Sequence, residues 1–251
     1  MSEISQVHDW IEWLKSNNPP GWAEWAQENL LDAPIFYVGK FHELPPLRAE
    51  ALGILRPPFR RCVVEYGTLD SDPCSRVLLY CEELQGEEGY LCQPAQKKRS
   101  GGWVTGHPIL GRRAQDGTVE FQCDADVSDR GIDGLQAAWY FAAHTFNVMR
   151  CVNVVAVDHP APERLNRKRR AGGKQPLLSF KTLRIKVPNR SVVGPDLGGS
   201  HSSPRLHLRR GHIRQLSGQR QVWVQSCVVG SGHGLVVKDY ALVSGKGGPN
   251  V

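Results

Sequence analysis

The sequence lacks the long hydrophobic run that a membrane-spanning helix requires. No stretch of its 251 residues approaches the roughly 18 consecutive apolar residues of such a helix. The opening MSEISQVHDW also lacks the basic start and apolar core of a secretory signal. These two absences predict a protein that works in the cytoplasm and has no membrane partner.

Closely spaced cysteine pairs are absent as well. The seven cysteines are odd in number, spread along the chain, and include no C-x-x-C pair. We therefore predict reduced thiols, several of them buried as small apolar side chains. The histidines near the C-terminus match no structural zinc pattern, and no carboxylate cluster accompanies them for magnesium. The sequence thus predicts neither a metal nor another cofactor.

Acidic residues are nearly missing from the last third of the chain. Residues 164–251 hold 17 Lys and Arg against 2 acidic residues, a net charge of +15. Residues 1–163 hold 14 Lys and Arg against 23 Asp and Glu, a net charge of −9, and the two parts together give the total of +6. Such segregation favours a polyanionic partner, RNA or DNA. The alternative is that the acidic and basic parts face each other inside the molecule.

The first 187 residues carry the patterns of an α+β body with a mainly antiparallel sheet. VHDWIEWLK and GWAEWAQENLL repeat apolar residues at helical spacing, and Pro19 and Pro20 between them predict an N-terminal helical hairpin. Residues 33–127 contain short apolar runs, several alternating with charges, which predict antiparallel strands with one face exposed to water.

The clearest helix is predicted from Ile132 to Met149, because an apolar stripe at helical spacing runs through it. His144 lies beside this stripe, which favours a hydrogen-bonded boundary residue over a catalytic one. The β-branched run CVNVVAVD that follows predicts a buried strand.

The composition changes after residue 162. A short basic helix is predicted over residues 163–171, ended by Gly172 and Gly173, and a strand over residues 178–187. We predict three parts: the α+β body over 1–187, a flexible linker over 188–204, and a small basic β-hairpin module over 205–243, in which SGQ joins two strands.

Two basic segments are candidate phosphate-binding sites. The segment LNRKRRAGGK places five cations within eight residues: Arg167, Lys168, Arg169, Arg170 and Lys174. Like charges at helical spacing repel, and phosphates relieve that repulsion. The alternative is a charged helix face that contacts only water. The GGK sequence lacks the spacing of a phosphate-binding P-loop, which excludes a nucleoside-triphosphate site of that kind.

The second segment is RLHLRRGHIR, which alternates like a strand. In this stretch Arg205, Arg209, Arg210 and Arg214 are candidates for bidentate phosphate contacts. His207 and His212 are candidates for the base and acid of metal-independent RNA cleavage through the 2′-hydroxyl. Trp223 is a candidate for stacking on an unpaired base. Because Val222 and Val224 flank it, an anchoring role for Trp223 in the hairpin is the favoured alternative.

The same C-terminal segments resemble an abundant set of bacteriophage and prophage proteins of no assigned function. Those proteins share an "LN-K-R…GK-PL" segment followed by an "H-RRGH-R…G…WV" segment. The first is matched here by Asn166, Arg167, Gly173, Lys174 and Pro176. The second is matched by His207, Arg209, Arg210, Gly211, His212, Arg214, Gly218, Trp223 and Val224. The resemblance covers roughly residues 150–243 and implies a workplace in an infected or lysogenic bacterial cell, without implying an activity.

These observations favour a phage-encoded nucleic-acid-binding protein, with ribonuclease activity of the two histidines as an additional hypothesis. The alternative from another class is an inhibitor that binds a host or anti-phage defence protein. Binding that weakens steeply with salt would favour nucleic acid, whereas a salt-tolerant stoichiometric complex would favour a protein partner.

Overall fold

A computed structural model describes residues 4–17, 21–40, 53–68, 71–186, 207–209, 212–218, 220–224 and 227–229. These residues form four helices: α1 (Val7–Asn17), α2 (Trp22–Leu30), α3 (Asp129–Met149) and α4 (Glu163–Ala171). They also form thirteen strands: β1 (Ile35–Lys40), β2 (Arg61–Gly67), β3 (Cys74–Glu83), β4 (Gly89–Lys98), β5 (Trp103–Thr105), β6 (Ile109–Arg113), β7 (Val119–Gln122), β8 (Val154–His159), β9 (Phe180–Ile185), β10 (His207–Arg209), β11 (His212–Gln215), β12 (Gln221–Val224) and β13 (Cys227–Val229).

Nine of the strands form one sheet. Its order is β7-β6-β4-β3-β2-β1-β9-β8, and β5 pairs with β4 beside this path. Strand β1 runs parallel to both β2 and β9, and the other pairings are antiparallel. The predicted α+β class, the mainly antiparallel sheet, the helical hairpin α1–α2 and the long helix α3 are all confirmed.

Helices cover both faces of the central strands. Alternate residues pack on opposite sides: Val63 and Leu78 contact the α1–α2 hairpin, whereas Val64 and Leu79 contact α3. The expectation of one water-exposed sheet face is therefore wrong for these strands. The charges that suggested it, such as Arg61 and Glu82, lie at strand ends, while the middle of each strand is buried on both sides and mainly apolar.

The long helix α3 is fixed to the sheet by a reciprocal aromatic pair. The rings of Tyr90 on β4 and Trp139 on α3 stack with centroids 4.4 Å apart. The Trp139 Nε1 donates to the Tyr90 carbonyl at 3.0 Å, and the Tyr90 hydroxyl donates to the Trp139 carbonyl. Gly111 on β6 lets the indole approach, because a Cβ there would lie 2.5 Å from the ring. Any side chain at Gly111 would therefore force the helix away from the sheet.

The helical hairpin is fixed to the other face by a buried carboxylate. Glu65 on β2 is fully buried and accepts hydrogen bonds from the Ser5 hydroxyl at 2.7 Å and the Gln6 backbone N–H at 3.0 Å. The charge lies at the N-terminal end of α1, where the helix dipole favours an anion. The Arg76 Nε lies 3.6 Å away, and its guanidinium covers the ring of Tyr37. One buried charge thus joins α1 to two strands.

Strand β8 lies at the edge of the sheet, so the prediction of a buried strand is wrong. Within the described residues its one paired neighbour is β9. Its residues alternate between half-buried and exposed after Val154. The apolar run predicted a strand correctly, but not that pairing with β9 alone would leave this strand at the sheet edge.

The C-terminal strands divide between two compact units. The first unit comprises residues 1–187 and 213–223, and the second comprises residues 188–212 and 224–251. Strands β10 and β13 pair antiparallel, whereas β11 and β12 form a separate pair, so RLHLRRGHIR is divided between two strands. The predicted linker, residues 188–204, and residues 230–243 of the predicted module lie outside the described residues.

Removal of the buried carboxylate tests its structural role. We expect Glu65→Ala to lower the free energy of unfolding by about 3–5 kcal/mol, because it leaves the Arg76 charge and the α1 N-terminus without their anion. Urea denaturation followed by tryptophan fluorescence measures this change. The matched control is Glu120→Ala, which breaks an exposed ion pair with Arg112 and should leave stability nearly unchanged. Equal effects of the two substitutions would contradict the assignment.

Candidate nucleic-acid interface

Helix α4 has the predicted bounds, and its ends explain where it starts and stops. Glu163 lies in the first turn, where the helix dipole favours an acid, and Lys168, Arg169 and Arg170 lie in the last turn, where it favours bases. The chain leaves the helix through Gly173, whose φ is 67°. The Gly173 N–H donates to the Arg170 carbonyl and the Lys174 N–H to the Arg169 carbonyl, the bond pair of a Schellman motif.

One side of α4 is fixed to the body by Asn166 and Arg169. The buried Asn166 side chain donates to the Leu177 carbonyl at 2.8 Å and accepts from the Leu177 N–H at 2.7 Å. The Arg169 guanidinium donates to the Gln175 carbonyl at 2.7 Å and to Glu12 of α1 at 3.3 Å. Arg169, predicted to contact phosphate, is therefore held within the protein by these bonds.

The other side of α4 carries exposed cations. Residues three and four apart share a helix face, which places Arg164, Arg167 and Lys168 together, opposite Asn166 and Arg169. These three side chains and Lys174 are exposed, and none forms an ion pair with a carboxylate of the described residues. We refer to Arg164, Arg167, Lys168 and Lys174 as the α4 cationic surface. Arg170 differs, because it pairs with Glu163 at 3.0 Å.

Strand β9, which follows α4 in the sequence, carries further cations. Lys181 forms an ion pair with Asp158 on the neighbouring β8. Arg184 and Lys186 are exposed and form no ion pair within the described part of the chain. Internal pairing thus neutralises Arg169, Arg170 and Lys181, whereas the α4 cationic surface, Arg184 and Lys186 keep their charges without a carboxylate partner there.

The second predicted segment is described only in part. Arg205 and Arg210 lie outside the described residues, and His207 and Arg209 are described by their backbone in β10. Arg214 is exposed on β11, and His212, at the start of that strand, is half-buried. The structure therefore gives no joint geometry for the two imidazoles of the cleavage hypothesis.

Within the first unit, Trp223 of β12 packs against the end of α3. Its side chain is 6% exposed and packs with Val148 and Cys151 at the end of α3. The Asn153 side chain accepts from the Trp223 N–H and donates to the Trp223 carbonyl, both at 2.8 Å. The anchoring role is the one that this burial supports, because a ring enclosed in this way offers no face to a base.

His144 of α3 contacts this anchor edge-on, with its ring centroid 6.3 Å from that of Trp223. Its Nε2 atom is buried and has no hydrogen-bond partner among the described residues, so the expectation of a hydrogen-bonded boundary histidine is wrong. Burial lowers the pKa of His144 from 6.5 to about 4, which keeps the imidazole neutral in the fold.

The sequence analysis missed a pair of rings beside the basic helix. His159 at the end of β8 and Phe180 at the start of β9 stack with centroids 4.7 Å apart and planes at 12°. They border an open pocket of about 500 Å³, which Asp32, Asp158 and Ser179 also line. The two residues are 21 positions apart, and the β8–β9 register alone brings them together.

Comparisons with known proteins add no relative. No protein-family model, no curated protein and no solved structure matches the chain. Among the described residues no group of His, Cys, Asp and Glu is arranged to hold a metal ion, and no helix is long and apolar enough to cross a membrane. The function must therefore be inferred from the residues themselves.

Acid should weaken the fold through His144. Because its pKa in the fold lies below the unfolded value of 6.5, protonation favours the unfolded chain, and stability is lost as the pH falls from about 6.5 towards 4. The contribution amounts to roughly 3 kcal/mol at its limit. We expect His144→Phe, which keeps a ring against Trp223, to reduce this loss in urea denaturation at about pH 7 and about pH 4.5.

The matched control for this prediction is His107→Phe, since His107 is an exposed histidine between β5 and β6. It should leave the acid dependence as it is in the unmodified protein. An unchanged pH dependence in His144→Phe would contradict the assignment.

Proposed function

We propose that the protein binds nucleic acid through the phosphate backbone, with the α4 cationic surface as the principal contact. The observation that carries the proposal is the division of charges on α4. Arg169 and Arg170 are paired with carboxylates, whereas Arg164, Arg167, Lys168 and Lys174 are exposed without such a partner in the described residues. A nucleic-acid backbone carries a row of negatively charged phosphates. Each phosphate that a protein cation neutralises releases counterions, which strengthens binding.

The dipole of α4 favours Lys168 in the last turn but does not account for Arg164 and Arg167. A helix dipole favours cations only in the last turn, and Arg164 lies in the first turn, where a cation is unfavourable. Arg164 and Arg167 also repel each other, since they are three residues apart. An external anion would offset both costs, which supports a ligand over a merely hydrated surface.

The alternative proposal is a protein partner. The salt dependence of binding distinguishes the two, because binding to a phosphate backbone weakens steeply with salt. We further propose, on the resemblance to phage and prophage proteins, that binding takes place in the cytoplasm of an infected or lysogenic bacterium. Arg214 and the arginines of residues 205–210 are additional candidate contacts to the same ligand.

Neutralising the α4 surface tests the proposal. We expect Arg167→Gln/Lys168→Gln/Lys174→Gln to weaken binding to a labelled single-stranded oligonucleotide of about 12 nucleotides. The slope of log affinity against log salt should fall by about 2, because each lost phosphate contact removes about 0.7. Fluorescence anisotropy between about 50 and 200 mM salt gives both quantities.

The control variant removes the same formal charge from exposed cations elsewhere on the first unit: Arg60→Gln/Lys98→Gln/Arg130→Gln. It changes the net charge equally and should lower the slope much less. If the two triple variants lower affinity and slope by the same amount, the binding depends on net charge alone, and the assignment to α4 is refuted.

A further inference from the structure

At the β8–β9 edge of the sheet, a stacked pair of rings and a cation lie on the same side of the sheet. Residues directly opposite each other in an antiparallel pair point to the same side of the sheet. The β8–β9 register therefore groups His159 with Phe180, Val157 with Thr182, and Val155 with Arg184 on one side. We call these six residues the β8–β9 face. It lies on the side of the α1–α2 hairpin, because Phe180 packs against the hairpin cluster.

The ring pair on this face is fixed in position before any ligand arrives. Phe180 rests on the core, and the imidazole of His159 lies nearly parallel on the Phe180 ring. The His159 Nε2 lies 2.9 Å from the Thr182 hydroxyl oxygen, and this hydrogen bond sets the orientation of the imidazole. Both rings keep part of their surface exposed. A preorganised flat surface of this kind loses little entropy when a planar ligand stacks on it.

The space beside the ring pair has the size of a small-molecule site. The pocket of about 500 Å³ lies where β1 and β9 begin and β8 ends. This volume falls within the range of about 300–1,000 Å³ typical of ligand pockets. Asp32 and Ser179 on its wall offer hydrogen-bond acceptors and a donor. The pocket thus combines an aromatic floor with a few polar groups.

Short chain segments connect helix α4 to two residues that line this pocket. Pro160 lines the pocket, and α4 begins three residues later. Leu178 also lines it, and the preceding Leu177 is hydrogen-bonded to Asn166 in the middle of α4. Along β9, Arg184 lies four residues from Phe180 on the same side, about 13 Å away at the rise of an extended strand. Arg184 therefore lies on the same face as the rings, and Arg164, five residues after His159, lies within about 18 Å of it.

We propose that the β8–β9 face binds an unpaired base of single-stranded nucleic acid, stacked on the His159–Phe180 pair. The inference rests on the proposed function, because the α4 cationic surface and Arg184 hold the flanking phosphates. Charge complementarity favours this occupant, because Arg184 on the same face and Arg164 close in the chain lie within reach of phosphates beside a base stacked on the rings, as in proteins that stack bases on aromatic side chains within a basic groove. The proposed ligands are therefore nucleic acids whose bases are unstacked and accessible.

The test compares two oligonucleotides of equal charge and a length of about 12 nucleotides, one of thymidines and one entirely abasic. The full-length protein should bind the thymidine strand about tenfold more tightly, since one stacked base contributes about that factor. His159→Ala should remove this preference and leave the salt slope unchanged, because it deletes a stacking surface and no phosphate contact. His159→Phe should restore the preference, because a phenyl ring offers a flat stacking surface at the same position.

The control is His107→Ala, an exposed histidine away from the β8–β9 face, which should keep the preference. Circular dichroism of each variant verifies that the fold is retained. Equal binding of the thymidine and abasic strands by the unmodified protein would overturn the base site. If the α4 triple variant still weakened both strands in that case, phosphate binding would stand without it, so the two failures are distinguishable.

Discussion

The sheet is wider than the α1–α2 hairpin that covers one of its faces. This difference determines which part of that face is left for a ligand. Eight strands lie side by side in the sheet at a spacing of about 4.8 Å, so the sheet is about 34 Å wide. The α1–α2 hairpin, with helices of 11 and 9 residues, covers an area of about 16 by 20 Å. Its apolar cluster extends from Trp103 on β5 to Phe180 on β9. The β8–β9 flank consequently remains open on that side.

Burial of the central strands also determines where the positive charge lies. Both faces of β2, β3 and β4 are enclosed by apolar side chains, and the one buried carboxylate there, Glu65, already has Arg76 and the start of α1 as its partners. An unpaired guanidinium in such surroundings would be costly, so cations without a carboxylate partner among the described residues lie on the surface, and one group of them lies on α4 and the β8–β9 flank. Arg169 shows how a cation that faces the body is accommodated. Its guanidinium donates to Glu12 and to the backbone carbonyl of Gln175.

Features encoded by local sequence could be predicted, and features that depend on strand order could not. The bounds of α4 follow from Glu163 at its start and Gly172–Gly173 at its end, and the structure reproduces them. The helical hairpin and α3 follow equally from apolar spacing. The edge position of β8 depends on β9 returning beside β1, a long-range pairing that no local pattern records. The His159–Phe180 stack was missed for the same reason, whereas the burial of Trp223 agrees with its flanking valines.

The acidic groups near the ring pair constrain how a strand would lie. Asp32 at the pocket repels phosphates, and it has no ion-pair partner among the described residues. Asp158 is neutralised in part by Lys181, and Arg184 and the α4 cationic surface lie outside the pocket wall. A strand that followed this field would place its phosphates over the cations and turn a base towards the pocket, where N–H groups on the base edge meet a carboxylate. On the proposed function, this distribution of charge keeps phosphates away from the pocket and leaves the pocket to a base.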